Sequence, residues 1–319
     1  MRPLLALVGL AVTAGCMYLA LRGVALGDAT DAVRDADLVW LLPALPVFAV
    51  AIVLRGVRWW ALYDGAKRPP LRAVMYALLV GYFFINILPA RAGEAARVIA
   101  LHNRAQTPRA ETIATVVVER VFDVLALLLV LLCAYPWLPE ISWLRNAAIF
   151  GGVVTVLLAV LIVLVVRYDA RAVHWLLGPL RRINRPGVAE RVETAAINAT
   201  RGLVALRRPA VAVRGFALTA ASWVVLAISY WILMSAFHLD LPLAAAILVT
   251  VAINLSLVLP SSPAALGVFE AATIIALNAF DVPQADALSY ALVLHLLNLV
   301  PFLLIGALLL GPAALRRRR

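Results

Sequence analysis

The chain is poor in charge, in cysteine and in histidine, and it has almost no lysine. Charged residues make up 14% of its 319 positions while hydrophobic residues make up 65%. With a mean hydropathy of +0.98, that balance excludes a soluble globular chain and describes an integral membrane protein. The two cysteines, Cys16 and Cys133, have no Cys or His neighbour at metal-ligand spacing, so both read as packing residues. The four histidines, His102, His174, His238 and His295, are scattered, and neither a metal nor a cofactor is expected. There is no Gly-x-Ser-x-Gly, no phosphate-binding Walker loop and no His-Glu-x-x-His. Catalytic residues are therefore not expected, nor is an enzyme, nor transport driven by ATP through this chain alone. Lys67 is the only lysine, and the net charge of +11 rests on arginines in short loops between apolar runs. That distribution orients a membrane protein and excludes a nucleic-acid partner. Thr13-Ala14-Gly15-Cys16 is similar to a lipoprotein cleavage box, but the apolar run continues to Leu21, so an uncleaved first span is expected.

Six apolar runs are long enough to cross a hydrocarbon core of about 30 Å as helices: Leu4 to Leu21, Leu38 to Leu54, Ile113 to Leu132, Ala147 to Val166, Phe216 to Phe237 and Ala287 to Leu310. Two further stretches, Ala73 to Leu101 and Ala244 to Phe280, are broken by one pattern: Asn86, Leu88-Pro89, Gly93 and Glu94 in the first, Asn254, Leu259-Pro260, Gly267 and Glu270 in the second. Helix breaks at membrane depth survive only where protein or a wet cavity satisfies the freed backbone, and an acid there is a functional candidate.

Charge bias decides how these two stretches run. If each leaves on the side it entered, Met1, Arg55 to Arg72, His102 to Glu111, Arg167 to Arg214 and Arg316 to Arg319 share the cytoplasmic side with 22 basic residues. The opposite side holds Arg22, Arg34 and Arg145 against eight acids. A single crossing of either stretch would translocate the ten arginines between Arg167 and Arg214 or the terminal cluster, against the positive-inside rule. Both stretches are therefore expected to be hairpins. The shorter arm of the first reaches only about 18 Å, so it should be re-entrant. The second is expected to be longer, with two tilted full spans as its alternative.

The expected fold is thus an all-α integral membrane domain over residues 1–319: six full spans plus two re-entrant or broken hairpins in an inverted four-plus-four repeat. Repeat one covers 1–135 and repeat two covers 147–310. Repeats of this kind place a transport site at their interface. The basic loop 167–215 carries Val173, Leu176, Leu177 and Leu180 at helical spacing beside Arg181, Arg182 and Arg185. It reads either as an amphipathic helix on an anionic leaflet or as a solvated loop.

Inside the expected membrane lie Arg91, Glu94, Arg97, Glu119, Arg120, Asp123 and Glu270. Each charge costs about 2.5–3.5 kcal/mol at a helix centre, so the set must pair or meet water. Glu119 and Asp123 share a helix face and can present two acids to Arg91 or Arg97 on the hairpin. In one reading Arg91, Arg97 and Arg120 receive an anion, most naturally a phosphate; in the other the charges form salt bridges that fix the hairpin. Asn86 and Asn254 are candidates to bond carbonyls freed by Pro89 and Pro260, and Gly93 and Gly267 to allow the turns. Glu270, with no arginine nearby in sequence, reads as a lone titrating or cargo-linked carboxylate, a candidate for proton coupling. His295 reads as a hydrogen-bonded packing residue.

At Gly81 to Glu94, at Glu119-Arg120-Val121-Phe122-Asp123, and at Leu259-Pro260 with Gly267 and Glu270, the chain resembles the lysylphosphatidylglycerol synthase transmembrane family, also called flippase-like domain proteins. The resemblance covers nearly the whole chain. It implies a multi-pass protein of a bacterial or archaeal cytoplasmic (inner) membrane, here with both termini cytoplasmic. It also implies kinship with the lipid-flipping half of synthases that carry a further soluble aminoacyl-transferase domain. Because the sequence stops at Arg319, synthase activity is not expected. The expected function is a flippase for an anionic lipid or a polyprenyl-phosphate-linked glycolipid. The alternatives are an accessory that binds a lipid carrier for a partner glycosyltransferase or lipid synthase, and a lipid-modifying enzyme using Glu94, Glu119 and Asp123.

Overall fold

A computed structural model describes residues 12–18, 31–63, 68–88, 92–142, 145–146, 149–157, 160, 208–257 and 262–316. Pro89, Arg91 and Pro260 lie outside the described residues, as do most of the first span and residues 167–207 of the basic loop. Among the described residues every regular element is helical. The main helices are α1 (Leu41–Ala61), α2 (Leu71–Ile87), α3 (Ala92–Ala105), α4 (Arg109–Ala134), α5 (Pro209–Met234), α6 (Leu243–Ser256), α7 (Val268–Asn278) and α8 (Gln284–Arg316).

Proline sets several of the helix starts. Pro70, Pro108 and Pro242 hold extended backbone immediately before α2, α4 and α6, and Pro209 occupies the first position of α5. A proline there loses no helical hydrogen bond, because its missing N–H would have had no intrahelical acceptor. The stretches Leu38–Ala61, Pro209–Phe237 and Gln284–Leu310 are long and apolar enough to cross a membrane. Helix α4 has 26 residues, about 39 Å, but carries Glu119, Arg120 and Asp123 along its length.

Two corrections to the sequence reading concern length. The helix expected to end at Leu54 runs on to Ala61, so Arg55 and Arg58, expected in the loop, are helical residues of α1. A helix persists there because Val57, Trp59, Trp60 and Ala61 continue the apolar pattern around the two arginines. The second hairpin is the longer stretch of sequence but the shorter in helix. Its arms α6 and α7 have 14 and 11 residues against 17 and 14 for α2 and α3. At 1.5 Å per residue α7 spans only about 17 Å, too short to cross as a full span. The described residues between the two arms include the 3-10 turn Pro263–Ala265 and Gly267.

Helices α2 and α3 fold back on each other through two glycines. A Cβ on Gly93 would fall 2.3 Å from the Gly81 carbonyl oxygen and 2.4 Å from Ile85 Cγ1, while one on Gly81 would meet Arg97 Cβ at 2.9 Å. Close backbone approach is therefore the local reason for Gly93. In the second hairpin Gly267 has φ +79°, a conformation that disfavours other residues. Its backbone faces residues Thr13 and Met17, and the Ser262 N–H donates to Thr13 Oγ1 at 3.0 Å.

Helices α1 and α5 form the closest long pair, tied by Ser229 Oγ donating to the Ala44 carbonyl at 2.8 Å. Around them α2 packs on α8 and α6 packs on α4. The ring of Phe83 on α2 fills the space a side chain on Gly306 would need, and the Tyr82 and Phe302 rings lie 4.6 Å apart. The 3-10 turn Pro263–Ala265 of the second hairpin rests on α2 of the first.

Candidate functional site

The polar centre is built where α1, α3, α4 and α5 meet. Four-residue spacing places Glu119 and Asp123 on one face of α4, and Arg58 of α1 reaches between them. Arg58 Nη2 donates to Glu119 Oε1 at 2.7 Å, and its Nη1 donates to Asp123 Oδ1. The second oxygen of Glu119 lies 2.7 Å from Arg97 Nη2 of α3, an ion pair whose angles fall outside hydrogen-bond alignment. Glu119 is fully buried between two guanidinium groups, and Arg58 and Arg97 are 2% and 4% exposed.

Tryptophans line this centre. Trp223 Nε1 donates to Asp123 Oδ1 at 3.2 Å, and Trp59 Nε1 donates to Thr115 Oγ1 at 3.0 Å. The Arg97 guanidinium sits 4.8 Å from the centroid of the Trp59 ring. An indole is apolar on its faces and donates at one edge, which suits it to wall a charged cluster inside an apolar protein.

Arg120 lies at the rim. It is held loosely, its Nε 3.5 Å from Glu94 Oε1 and its Nη1 3.5 Å from Asp123 Oδ2, and its side chain is 47% exposed. The first turn of α3 also contains Glu94, so that acid stands at the positive end of a helix dipole.

The site residues named from sequence divide accordingly. Glu94, Arg97, Glu119, Arg120 and Asp123 come together. Arg97 does not face an open space: Glu119 and the Trp59 ring occupy it, because an unpaired guanidinium at that depth would be costly. Asp123 is held mainly by Arg58 and Trp223, not by an arginine of the hairpin. Arg58 is not among the residues named from sequence, because the second apolar run is read as closing at Leu54. Its sequence signature was a surplus of intramembrane carboxylates, four against three arginines.

Glu270 lies apart from this cluster and is not alone. Its Oε1 is 2.6 Å from His295 Nδ1 of α8, and its Oε2 accepts the Gly267 N–H at 2.7 Å, capping α7. The His295 ring stacks on Phe269 with centroids 4.4 Å apart. The sequence reading of a lone carboxylate is corrected here: its partner lies on a helix distant in sequence. His295 is buried and hydrogen-bonded. Asn86 and Asn254 make matching bonds, each Nδ2 donating to the carbonyl four residues earlier, Tyr82 at 3.0 Å and Thr250 at 2.7 Å. Those are carbonyls inside α2 and α6, not the ones a proline at 89 or 260 would free.

The family described as "Lysylphosphatidylglycerol synthase TM region" matches residues 6–306. A "UPF0104 membrane protein" of Methanothermobacter thermautotrophicus is 24% identical over 265 residues, covering 78% of each chain. "Glycosyltransferase AglD" of Haloferax volcanii is 32% identical over 137 residues, which is 38% of this chain but only 21% of that protein's length.

Proposed function

The chain belongs to the lysylphosphatidylglycerol synthase TM region family, and from that membership we propose that it moves an anionic lipid across the cytoplasmic membrane. The cargo is a phospholipid or a polyprenyl-phosphate-linked glycolipid, and its phosphate meets Arg120. The observation that carries this reading is the contrast between Arg120 and its neighbours. Arg58 and Arg97 hold their carboxylates at 2.7 Å and are buried, whereas Arg120 is half exposed and only 3.5 Å from each of its two acids. A loosely paired guanidinium at the edge of a buried network can exchange a carboxylate for a phosphate without leaving a buried charge unpaired.

In this reading the six spans and two re-entrant hairpins form an inverted repeat with both termini cytoplasmic. The paired α1 and α5, the reciprocal packing of α2 on α8 and α6 on α4, and the matching Asn86 and Asn254 bonds support it. Rocking of one repeat against the other alternates access while the lipid tails stay in the bilayer. No catalytic step is assigned, since Glu119 and Asp123 are already engaged by guanidinium groups and are poor candidates for a free base.

A deletion strain provides the test. Altered sidedness of an anionic lipid at unchanged total amount supports transport, whereas a missing lipid product favours a modifying enzyme. A second reading, an accessory that holds a lipid carrier for a separate glycosyltransferase, draws on the partial match to the protein named glycosyltransferase AglD. Copurification with such an enzyme, with unaltered lipid sidedness on deletion, would favour it.

A further inference from the structure

Arg55 is the arginine of the polar centre that has no carboxylate within ion-pair distance among the described residues. It lies on α1 one turn before Arg58, and its guanidinium stacks on the Trp223 ring with Cζ 4.1 Å from the centroid. Its Nη1 donates to Tyr82 Oη at 3.4 Å, a long bond. Its Nε and Nη2 are both buried and have no hydrogen-bond partner among the described residues. These two nitrogens form one edge of the guanidinium, with parallel N–H bonds spaced to fit two oxygens of a phosphate or carboxylate. Stacking and the Tyr82 bond fix the plane and one edge; the bidentate edge is left over.

Two further facts bear on what fills that edge. Arg58, Arg97 and Arg120 pair with Glu94, Glu119 and Asp123, and Arg55 beside them adds one positive charge in excess among the described residues. The edge also lies where α1, α2 and α5 converge, and Tyr82 in turn packs against Phe302 of α8 with its ring tilted. These helices come from both proposed repeats, so relative movement of the repeats opens or closes this place.

We propose that Arg55 is a second anion-reading residue that grips a singly charged phosphodiester through Nε and Nη2. The inference rests on the lipid-transport reading and deepens it: Arg120 at the rim meets the headgroup first, and Arg55 holds the phosphate once the repeats close around it. A phosphodiester carries the one negative charge that the cluster lacks. Two buried donors left without an acceptor are costly for an arginine whose role is only structural.

The test is thermal unfolding of the purified full chain in uncharged detergent. Wild type, Arg55→Lys, Arg55→Met and the remote control Arg34→Met are each titrated with phosphatidylglycerol, diacylglycerol or sodium phosphate. A ligand of the native state raises the unfolding temperature with its concentration. The expected result is a rise with phosphatidylglycerol that diacylglycerol does not give, kept in Arg34→Met. Arg55→Lys, which keeps the charge but loses the fork, should need at least about tenfold more lipid for the same rise, and Arg55→Met should lose it. An equal rise with sodium phosphate at matched concentration would identify a free-ion site and overturn the phosphodiester assignment. An unchanged phosphatidylglycerol response in both Arg55 variants would overturn the proposal even if transport is intact. A response lost with Arg55 in a protein that does not move lipid would sink the transport reading alone. Should Arg55→Met not fold, Arg55→Lys decides.

Discussion

Replacing Arg58 by methionine tests the buried network at its most connected member. Arg58 holds Glu119 at 2.7 Å and also binds Asp123, and both acids are buried. In the variant Glu119 keeps Arg97, but Asp123 retains only the Trp223 N–H at 3.2 Å and the Arg120 contact at 3.5 Å. Removing one partner from a buried ion pair costs about 3–5 kcal/mol, most of it from the charge left behind. Because two acids lose a donor at once, the upper half of that range is expected. In a thermal unfolding assay that corresponds to a fall on the order of 10 °C. The double variant Arg58→Met with Asp123→Asn removes one charge of each sign, so it should recover at least about 1 kcal/mol relative to additivity. An Arg58→Met protein as stable as wild type, or a strictly additive double variant, would refute the claim that these charges hold one another in place.

Other predictions follow from the same contacts. Gly93→Ala places a Cβ 2.3 Å from the Gly81 carbonyl oxygen and should destabilise the first hairpin, whereas Gly152→Ala, whose nearest neighbour stands 4.0 Å away, should unfold at the wild-type temperature. Glu270→Ala removes both the cap on the Gly267 N–H and the partner of His295, and should cost at least about 1 kcal/mol in chemical or thermal unfolding. Glu270→Gln, which keeps an acceptor for Gly267, should cost less; equal losses for the two would argue against capping. Arg34→Ala, in an exposed pair with Asp31 at 3.5 Å, should leave the unfolding temperature unchanged.

Much of the architecture was legible because the membrane is a severe solvent. Long apolar runs marked helices α1, α5 and α8, and the repeated Asn, Leu-Pro, Gly and acid pattern marked both interruptions. Gly93 was readable as a turn glycine of the hairpin, although its close approach to Gly81 was not, since nothing in sequence pairs two positions across a hairpin. Lengths were harder. A run closed at its first arginine ends α1 at Leu54 and puts Arg55 and Arg58 in a loop, but helix propagation does not stop at arginines that other helices hold, Arg55 on the Trp223 ring and Arg58 on Glu119 and Asp123. Glu270 was misread for the same reason, because its partner His295 belongs to a different element. Spacing along one helix reveals which charges share a face; it does not reveal what stands opposite.

The central claim is most directly tested in liposomes containing the purified chain and a fluorescent phosphatidylglycerol, by measuring how much inner-leaflet label becomes accessible to a membrane-impermeant quencher. The account predicts faster exposure than in protein-free vesicles, reduced by Arg120→Ala and by Glu94→Ala in variants that retain wild-type unfolding temperatures. Exposure at the protein-free rate, or exposure indifferent to Arg120 and Glu94, would contradict it.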